Sequence, residues 1–289
     1  MLPMDREVLG IRVLTVVLGA PPFLACLWWG GGVWTALVAL LAALAAAEAV
    51  ALAGCRSGEV AATAGQGRGA GGRAGDGTAV AATRVSTAGL AALLVLVLGD
   101  LVRIPLLLGI TGALLVVMGL DAAFYPGGVR ATGMLLAVLY PGLGLGHLVL
   151  LRREPQGLGW GLFLLAAVWT SDIAAYFVGL VRGHHRLAPR LSPGKSWEGA
   201  AAGLLAAAVA GAAGAGALLG LPAPAGAALA VGTAAAGMAG DLAESALKRA
   251  AGRKDSGHLV PGHGGVLDRF DSLAFAAPVL YWWKVLGGM

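Results

Sequence analysis

Residues 241–271 read DLAESALKRAAGRKDSGHLVPGHGGVLDRFD, and they crowd carboxylates, cationic side chains, a histidine and glycines into a chain that is otherwise mostly apolar. Asp241, Glu244, Ser245 and Lys248 recur at i, i+3, i+4 and i+7, the spacing of one helical face. Arg249, Arg253 and Lys254 follow. Gly257, Pro261, Gly262, Gly264 and Gly265 surround His263 and predict a loop. Asp268 and Asp271 come next at helical spacing, just before another apolar run. Carboxylates that can hold a hard cation, set beside basic groups and accessible backbone, suit a polyphosphate. Magnesium prefers oxygen donors and is usually held through one or two carboxylates plus substrate phosphates. Lysine, arginine and glycine-rich backbone offset phosphate charge. Phosphoryl or nucleotidyl transfer needs little beyond such positioning and neutralisation.

A second polar group lies upstream in residues 169–199, WTSDIAAYFVGLVRGHHRLAPRLSPGKSWEG. Asp172 interrupts an apolar run, where a carboxylate costs about 2.5–3.5 kcal/mol to insert and should face a polar cavity or an arginine of a neighbouring helix. His184 and His185 read as solvated loop residues, since no cysteine accompanies them to make a zinc site. Ser196 is placed to cap a helix, with Glu198 favourable in its first turn. That reading leaves Lys195 for another task.

The bland account of 241–271 is a basic loop on the cytoplasmic side of a membrane. It covers Arg249, Arg253 and Lys254. It does not cover Asp241 and Ser245 inside an apolar run, nor Asp268 and Asp271 beside His-Gly-Gly.

The elements that must hold these groups are membrane helices. The chain has 289 residues, 58% hydrophobic and 12% charged, with a mean hydropathy of +0.82; a soluble domain carries about 25% charge. The expected fold is all-α and polytopic, with nine transmembrane runs at 11–29, 31–53, 88–99, 102–120, 131–151, 159–181, 198–220, 225–247 and 270–286. Pro141 and Gly142 are expected to break the fifth. Alanine and glycine in the seventh and eighth predict close packing. Tyr281, Trp282, Trp283 and Lys284 end the ninth as an interfacial anchor. Residues 54–87, rich in Gly, Ala, Ser and Thr, read as a flexible loop. The chain thus divides into N-terminal helices over 1–150 and a catalytic region over 151–289. Cys26 and Cys55 fall in or beside different runs, and no disulfide is expected between them.

With nine runs, the 20 lysines and arginines collect on one side, leaving only Arg103, Arg152, Arg153 and Lys284 on the other. The excess marks the cytoplasm. Both charged segments then face the compartment that holds nucleoside triphosphates. A net charge of +5 in such a protein reflects these loops and lipid headgroups rather than nucleic acid.

The pattern Ser245-x-Leu247-Lys248-Arg249-x4-Lys254-Asp255-x-Gly257-x3-Pro261-x-His263-Gly264-Gly265-x2-Asp268-Arg269-x-Asp271 closely resembles the signature of the phosphatidate cytidylyltransferases, the CDP-diacylglycerol synthases. Val260 departs from it only by replacing another apolar residue. Ser192-Pro193-Gly194-Lys195-Ser196-Trp197-Glu198-Gly199 resembles a second stretch of that family, so the likeness covers roughly residues 160–289. It implies that CTP and phosphatidic acid give CDP-diacylglycerol and pyrophosphate in the inner membrane, with the site facing the cytoplasm. It implies Mg2+ on Asp241 and Asp268, with catalytic parts for Ser245, Lys248 and His263. His263 could serve as general acid, phosphate contact or loop buttress. Arg249, Lys254, Asp255, Gly264, Gly265, Arg269, Asp271, Lys195 and Asp172 are expected to line the substrate site. The resemblance also implies a second, monovalent cation such as K+ and a homodimer, neither of which these residues spell out. The alternatives are a CTP-dependent transferase or kinase acting on a polyprenol or ether lipid, and a transporter. Against the transporter, no paired repeat is visible.

Overall fold

A computed structural model describes residues 6–64, 131–257, 259 and 264–288. Within them run the helices α1 (Arg6–Trp29), α2 (Gly31–Ala64), α3 (Ala131–Arg153), α4 (Gly157–Arg182), α5 (Trp197–Leu219), α6 (Ala223–Ala250) and α7 (Leu267–Leu286). Four of these segments are long and apolar enough to cross a membrane: Gly31–Leu52, Gly157–Arg182, Trp197–Leu219 and Ala223–Ala250. The chain is a helical membrane protein. The expected runs at 88–99 and 102–120, together with His263, lie outside the described residues.

The helical class expected from the sequence holds, with one short addition: β1 (Arg186–Ala188) and β2 (Ser192–Ser196) pair antiparallel between α4 and α5. Two expectations need correction. The segment expected as a loop from residue 54 begins as helix, since α2 continues to Ala64; its remainder, 65–87, lies outside the described residues. Alanine-rich sequence sustains the helix where the glycine count suggested a break. Pro141 and Gly142 do not interrupt α3, which runs through both. Membrane helices tolerate such residues where neighbours satisfy the freed carbonyls.

The chain divides into two compact units. The larger part of one is His147–Ala246, joined by Pro22–Trp34 and Phe270–Met289. Here α4 and α5 pack through small residues. A Cβ on Gly203 would sit 2.8 Å from the carbonyl oxygen of Ser171, and one on Gly199 would sit 2.7 Å from that of Ala175. The same device joins α5 to α6, where Gly211 and Gly226 face each other's backbone. With no room for side chains, the helices touch backbone to backbone. Trp160, Phe163, Leu164 and Leu280 are buried in the core of this unit.

The turn before α5 is set by its own residues. Ser196 caps the helix, its Oγ accepting from the Gly199 N–H at 3.1 Å, which satisfies one of the orphan donors at a helix start. Glu198 accepts from the His185 N–H and meets its Nδ1 at 2.5 Å, tying the hairpin to the helix. At the other end of this unit Arg152 donates to the Leu27 and Trp28 carbonyls. These are the free carbonyls at the end of α1, where a cation is favoured.

The second unit comprises Met1–Pro21, Thr35–Gly146 and Leu247–Arg269. Its buried face on α2 is built from Val38, Ala39, Ala42, Ala45 and Ala46. Gly252, at φ +67°, ends α6. The Arg253 N–H bonds the Lys248 carbonyl and the Gly252 N–H bonds that of Arg249, a Schellman closure that needs a residue comfortable in the left-handed region.

Candidate active site

Within the first unit, α6 and α7 bring three carboxylates together. Ligand oxygens of Asp241, Glu244 and Asp271 all lie within 4.8 Å of one another. Asp241 and Glu244 are one turn apart on α6, so their meeting follows from helical spacing. Asp271 reaches them because Gly240 lets the helices close. A Cβ there would stand 2.6 Å from the Asp271 carbonyl oxygen. Glu244 is fully buried and Asp271 nearly so. Three carboxylates so close repel one another strongly unless a cation intervenes. Part of that cation is Lys195, whose Nζ lies 2.6 Å from Asp241 Oδ2. The Ser245 hydroxyl lies 3.4 Å from Asp241 Oδ1, a long contact. Asp172 on α4 is within electrostatic reach of both Asp241 and Lys195. The stretch at 192–199 and the start of the signature therefore share one polar cluster.

In the second unit, Asp268 is the hub. Its Oδ1 accepts from Lys248 Nζ at 2.7 Å. Its Oδ2 receives the N–H groups of Ser256 at 2.9 Å and Gly265 at 2.8 Å, and the Ser256 hydroxyl lies 2.9 Å away. The ion pair is shielded, with side chains 12% and 6% exposed. Asp268 lies in the first turn of α7 and reaches back to the N–H of Gly265, half of a capping box. Gly264, at φ +83°, turns the chain here, and a Cβ on it would meet Asp268 Oδ2 at 2.6 Å. In this arrangement the Gly265 N–H serves Asp268 rather than a phosphate. Arg249, Arg253, Lys254, Asp255 and Arg269 are exposed around this hub. Arg249 donates to the Arg253 carbonyl at 2.9 Å.

The sequence reading singled out Asp241 and Asp268 as metal ligands. The structure gathers Asp241 with Glu244 and Asp271, while Asp268 holds Lys248 and the loop. Three further residues join these clusters. Glu244 shares the helical face of Asp241, and its i+3 spacing is the sequence signal for it. Ser256, inside the signature, carries no such signal. Glu48 was visible as a carboxylate in an apolar run, which by itself marks a residue with a task. It accepts from Val266 N–H and Leu267 N–H, each at 2.9 Å, and from the Ser256 hydroxyl at 2.8 Å.

Apolar helices carrying an acidic cluster with lysine in one unit, and a turn closed on an aspartate in the other, define a class: helical membrane proteins with polar clusters of acidic and basic side chains. The chain belongs to the cytidylyltransferase family, whose model matches residues 10–286. Among curated proteins it is similar to the phosphatidate cytidylyltransferase of Brucella suis, 50% identical over 146 residues, covering 50% of this chain and 54% of that one. It resembles the phosphatidate cytidylyltransferase of Pseudomonas aeruginosa at 41% identity over 175 residues, 55% and 59% of the two chains. That of Bacillus subtilis is 40% identical over 148 residues, 50% and 55% of the two chains. The chain spans about half the length of the curated relatives it matches.

Proposed function

We propose that this protein transfers the cytidylyl group of CTP to phosphatidic acid, giving CDP-diacylglycerol and pyrophosphate. The observation that carries the reading is the triad of Asp241, Glu244 and Asp271 beside Lys195, in a chain of the cytidylyltransferase family that is similar to proteins named for that activity. A phosphate oxygen of the lipid attacks the α-phosphorus of CTP, and the bond from that phosphorus to the bridging oxygen breaks, with both electrons leaving on pyrophosphate. The lipid phosphate is already anionic near neutral pH and needs no strong base. The barrier lies in bringing one anion against another.

The donor set of the triad, all hard oxygen, fits Mg2+. Held there, such an ion would supply Lewis-acid stabilisation of the charge that develops on the leaving pyrophosphate. Asp241 would anchor it with Glu244 and Asp271. Asp268, expected from the sequence as a ligand, would join only by giving up Lys248. Lys195 pairs with Asp241 and would be available to a phosphate with Asp241 engaged on a cation. Lys248, Lys254, Arg249 and Arg269 offset the remaining charge. Ser245 offers a hydroxyl to phosphate, and His263 is proposed as a further phosphate contact. The resemblance extends the proposal to a monovalent cation, a homodimer, and an inner-membrane location with the site facing the cytoplasm.

The test is an assay of the purified protein with labelled CTP, Mg2+ and a lipid phosphate. Label entering the lipid with phosphatidic acid supports the reading. Label entering only with a polyprenyl or ether-lipid phosphate assigns another substrate, and label in neither removes the proposal.

A further inference from the structure

Glu48 lies in α2, roughly two hundred residues from the signature, yet it is only 6% exposed and its carboxylate is bound by three donors from the signature segment. Each oxygen takes one backbone N–H, Oε1 from Val266 and Oε2 from Leu267. Those N–H groups open α7 and have no partner within the helix. A negative group is also favoured at a helix start. The third donor is the Ser256 hydroxyl, 2.8 Å from Glu48 Oε2 and 2.9 Å from Asp268 Oδ2. A hydroxyl has one proton, so Ser256 can satisfy only one of the two carboxylates at a time, and their positions are coupled through it. The backbone is shaped for this contact. A Cβ on Gly257 would stand 2.7 Å from Glu48 Oε1, and one on Gly265 would stand 2.2 Å from Glu48 Oε2. These glycines make room for a carboxylate from another helix.

We propose that Glu48 is a positioning residue: it clamps Ser256 and the 265–267 entry of α7 to α2 and thereby fixes Asp268, and through it the Lys248 ammonium, for the transfer reaction. The role rests on the cytidylyl-transfer reading; the clamp itself does not. Glu48 touches no reacting atom. It acts by fixing the rotamer and depth of Asp268 relative to its lysine.

The experiment uses the full chain in lipid nanodiscs. Glu48→Gln keeps the shape of the side chain but turns one acceptor into a donor facing a backbone N–H. Gly257→Ala pushes the native carboxylate aside without changing it. In both, amide hydrogen exchange across residues 264–268 should rise at least about tenfold, while exchange across α5 stays at the wild-type rate. Turnover should fall about 10–100-fold, the usual cost of losing an outer partner of an active-site carboxylate, with the KM for CTP nearly unchanged. Glu48→Gln combined with Ser256→Ala should be no worse than the poorer single variant. Unchanged exchange at 264–268 overturns the clamp. Raised exchange with wild-type turnover per folded molecule overturns the positioning role, as does a double variant whose losses multiply. If wild-type protein fails to use CTP with phosphatidic acid, the functional reading fails, and the exchange data still decide the clamp.

Discussion

Asp241 bears three relationships at once: an ion pair with Lys195, a long contact with the Ser245 hydroxyl, and a place in the triad with Glu244 and Asp271. Replacing it with asparagine removes an anionic ligand and strands Lys195. Turnover of the Asp241→Asn protein should therefore fall more than about 100-fold, beyond what an outer-partner loss costs. Glu244→Gln should instead shift the Mg2+ titration to higher concentration, with activity partly recovered at saturation. A titration superimposable on that of wild type would remove Glu244 from the metal site. Lys248 and Asp268 make a different case, a shielded pair whose partners depend on each other. Breaking such a pair from one side costs about 3–5 kcal/mol, whereas removing both charges together costs far less. Lys248→Ala should lower the unfolding temperature and raise the KM for CTP. Lys248→Met with Asp268→Asn should regain most of the stability and none of the turnover. Thermal unfolding and steady-state kinetics on the same preparations separate the two effects.

At the scale of elements, stability rests on backbone contact between small residues, and the substitutions that hurt are those that add atoms. A Cβ on Gly211 would lie 2.4 Å from Ala230 Cβ and 2.5 Å from the Gly226 carbonyl oxygen, while one on Gly214 would meet only Leu218 Cδ1 at 3.4 Å. Gly211→Val should cost about 1–3 kcal/mol through overpacking. Gly214→Ala on the same helix should be neutral or slightly stabilising, because alanine is the better helix former. Equal effects of the two would show that α5 and α6 do not pack as described. The elements themselves were largely legible. Apolar runs gave α4, α5, α6 and α7 to within a few residues, and Ser196 announced its cap. The hairpin was not legible, because β1 and β2 are short and polar and are held by Glu198 and His185 rather than by an alternating pattern. Nor was the extension of α2, where alanine propensity outweighed scattered glycines. The site was half legible for a related reason. Spacing along α6 reveals who shares a face, but only the approach of α7 at Gly240 reveals that Asp271 completes the triad. Nothing local links Glu48 to residues two hundred positions away.

For the molecule as a whole, access to substrate turns on which surface the charges occupy. α4 has 26 residues and α5 has 23, and at about 1.5 Å per residue either exceeds a hydrocarbon core of about 30 Å. Ile173, Phe177 and Leu180 on α4, with Leu205 and Val209 on α5, are exposed, as lipid-facing side chains must be. If both helices cross the bilayer, the hairpin between them and the turn after α5 fall at opposite surfaces. Arg182, Arg186, Arg190 and Lys195 load the hairpin side, so the positive-inside bias predicts that it faces the cytoplasm. Gly194 is exposed, with nothing within 4 Å of a Cβ built there, and Ala223 is exposed at the start of α6. With Cys26 and Cys55 replaced by alanine, Gly194→Cys should react with an impermeant maleimide only in inside-out vesicles, and Ala223→Cys only in right-side-out ones. The reverse pattern would put the hairpin outside, away from nucleoside triphosphates, and a CTP-dependent reaction at Asp241 would lose its supply. Labelling of both cysteines from one side would mean that α5 does not cross the bilayer.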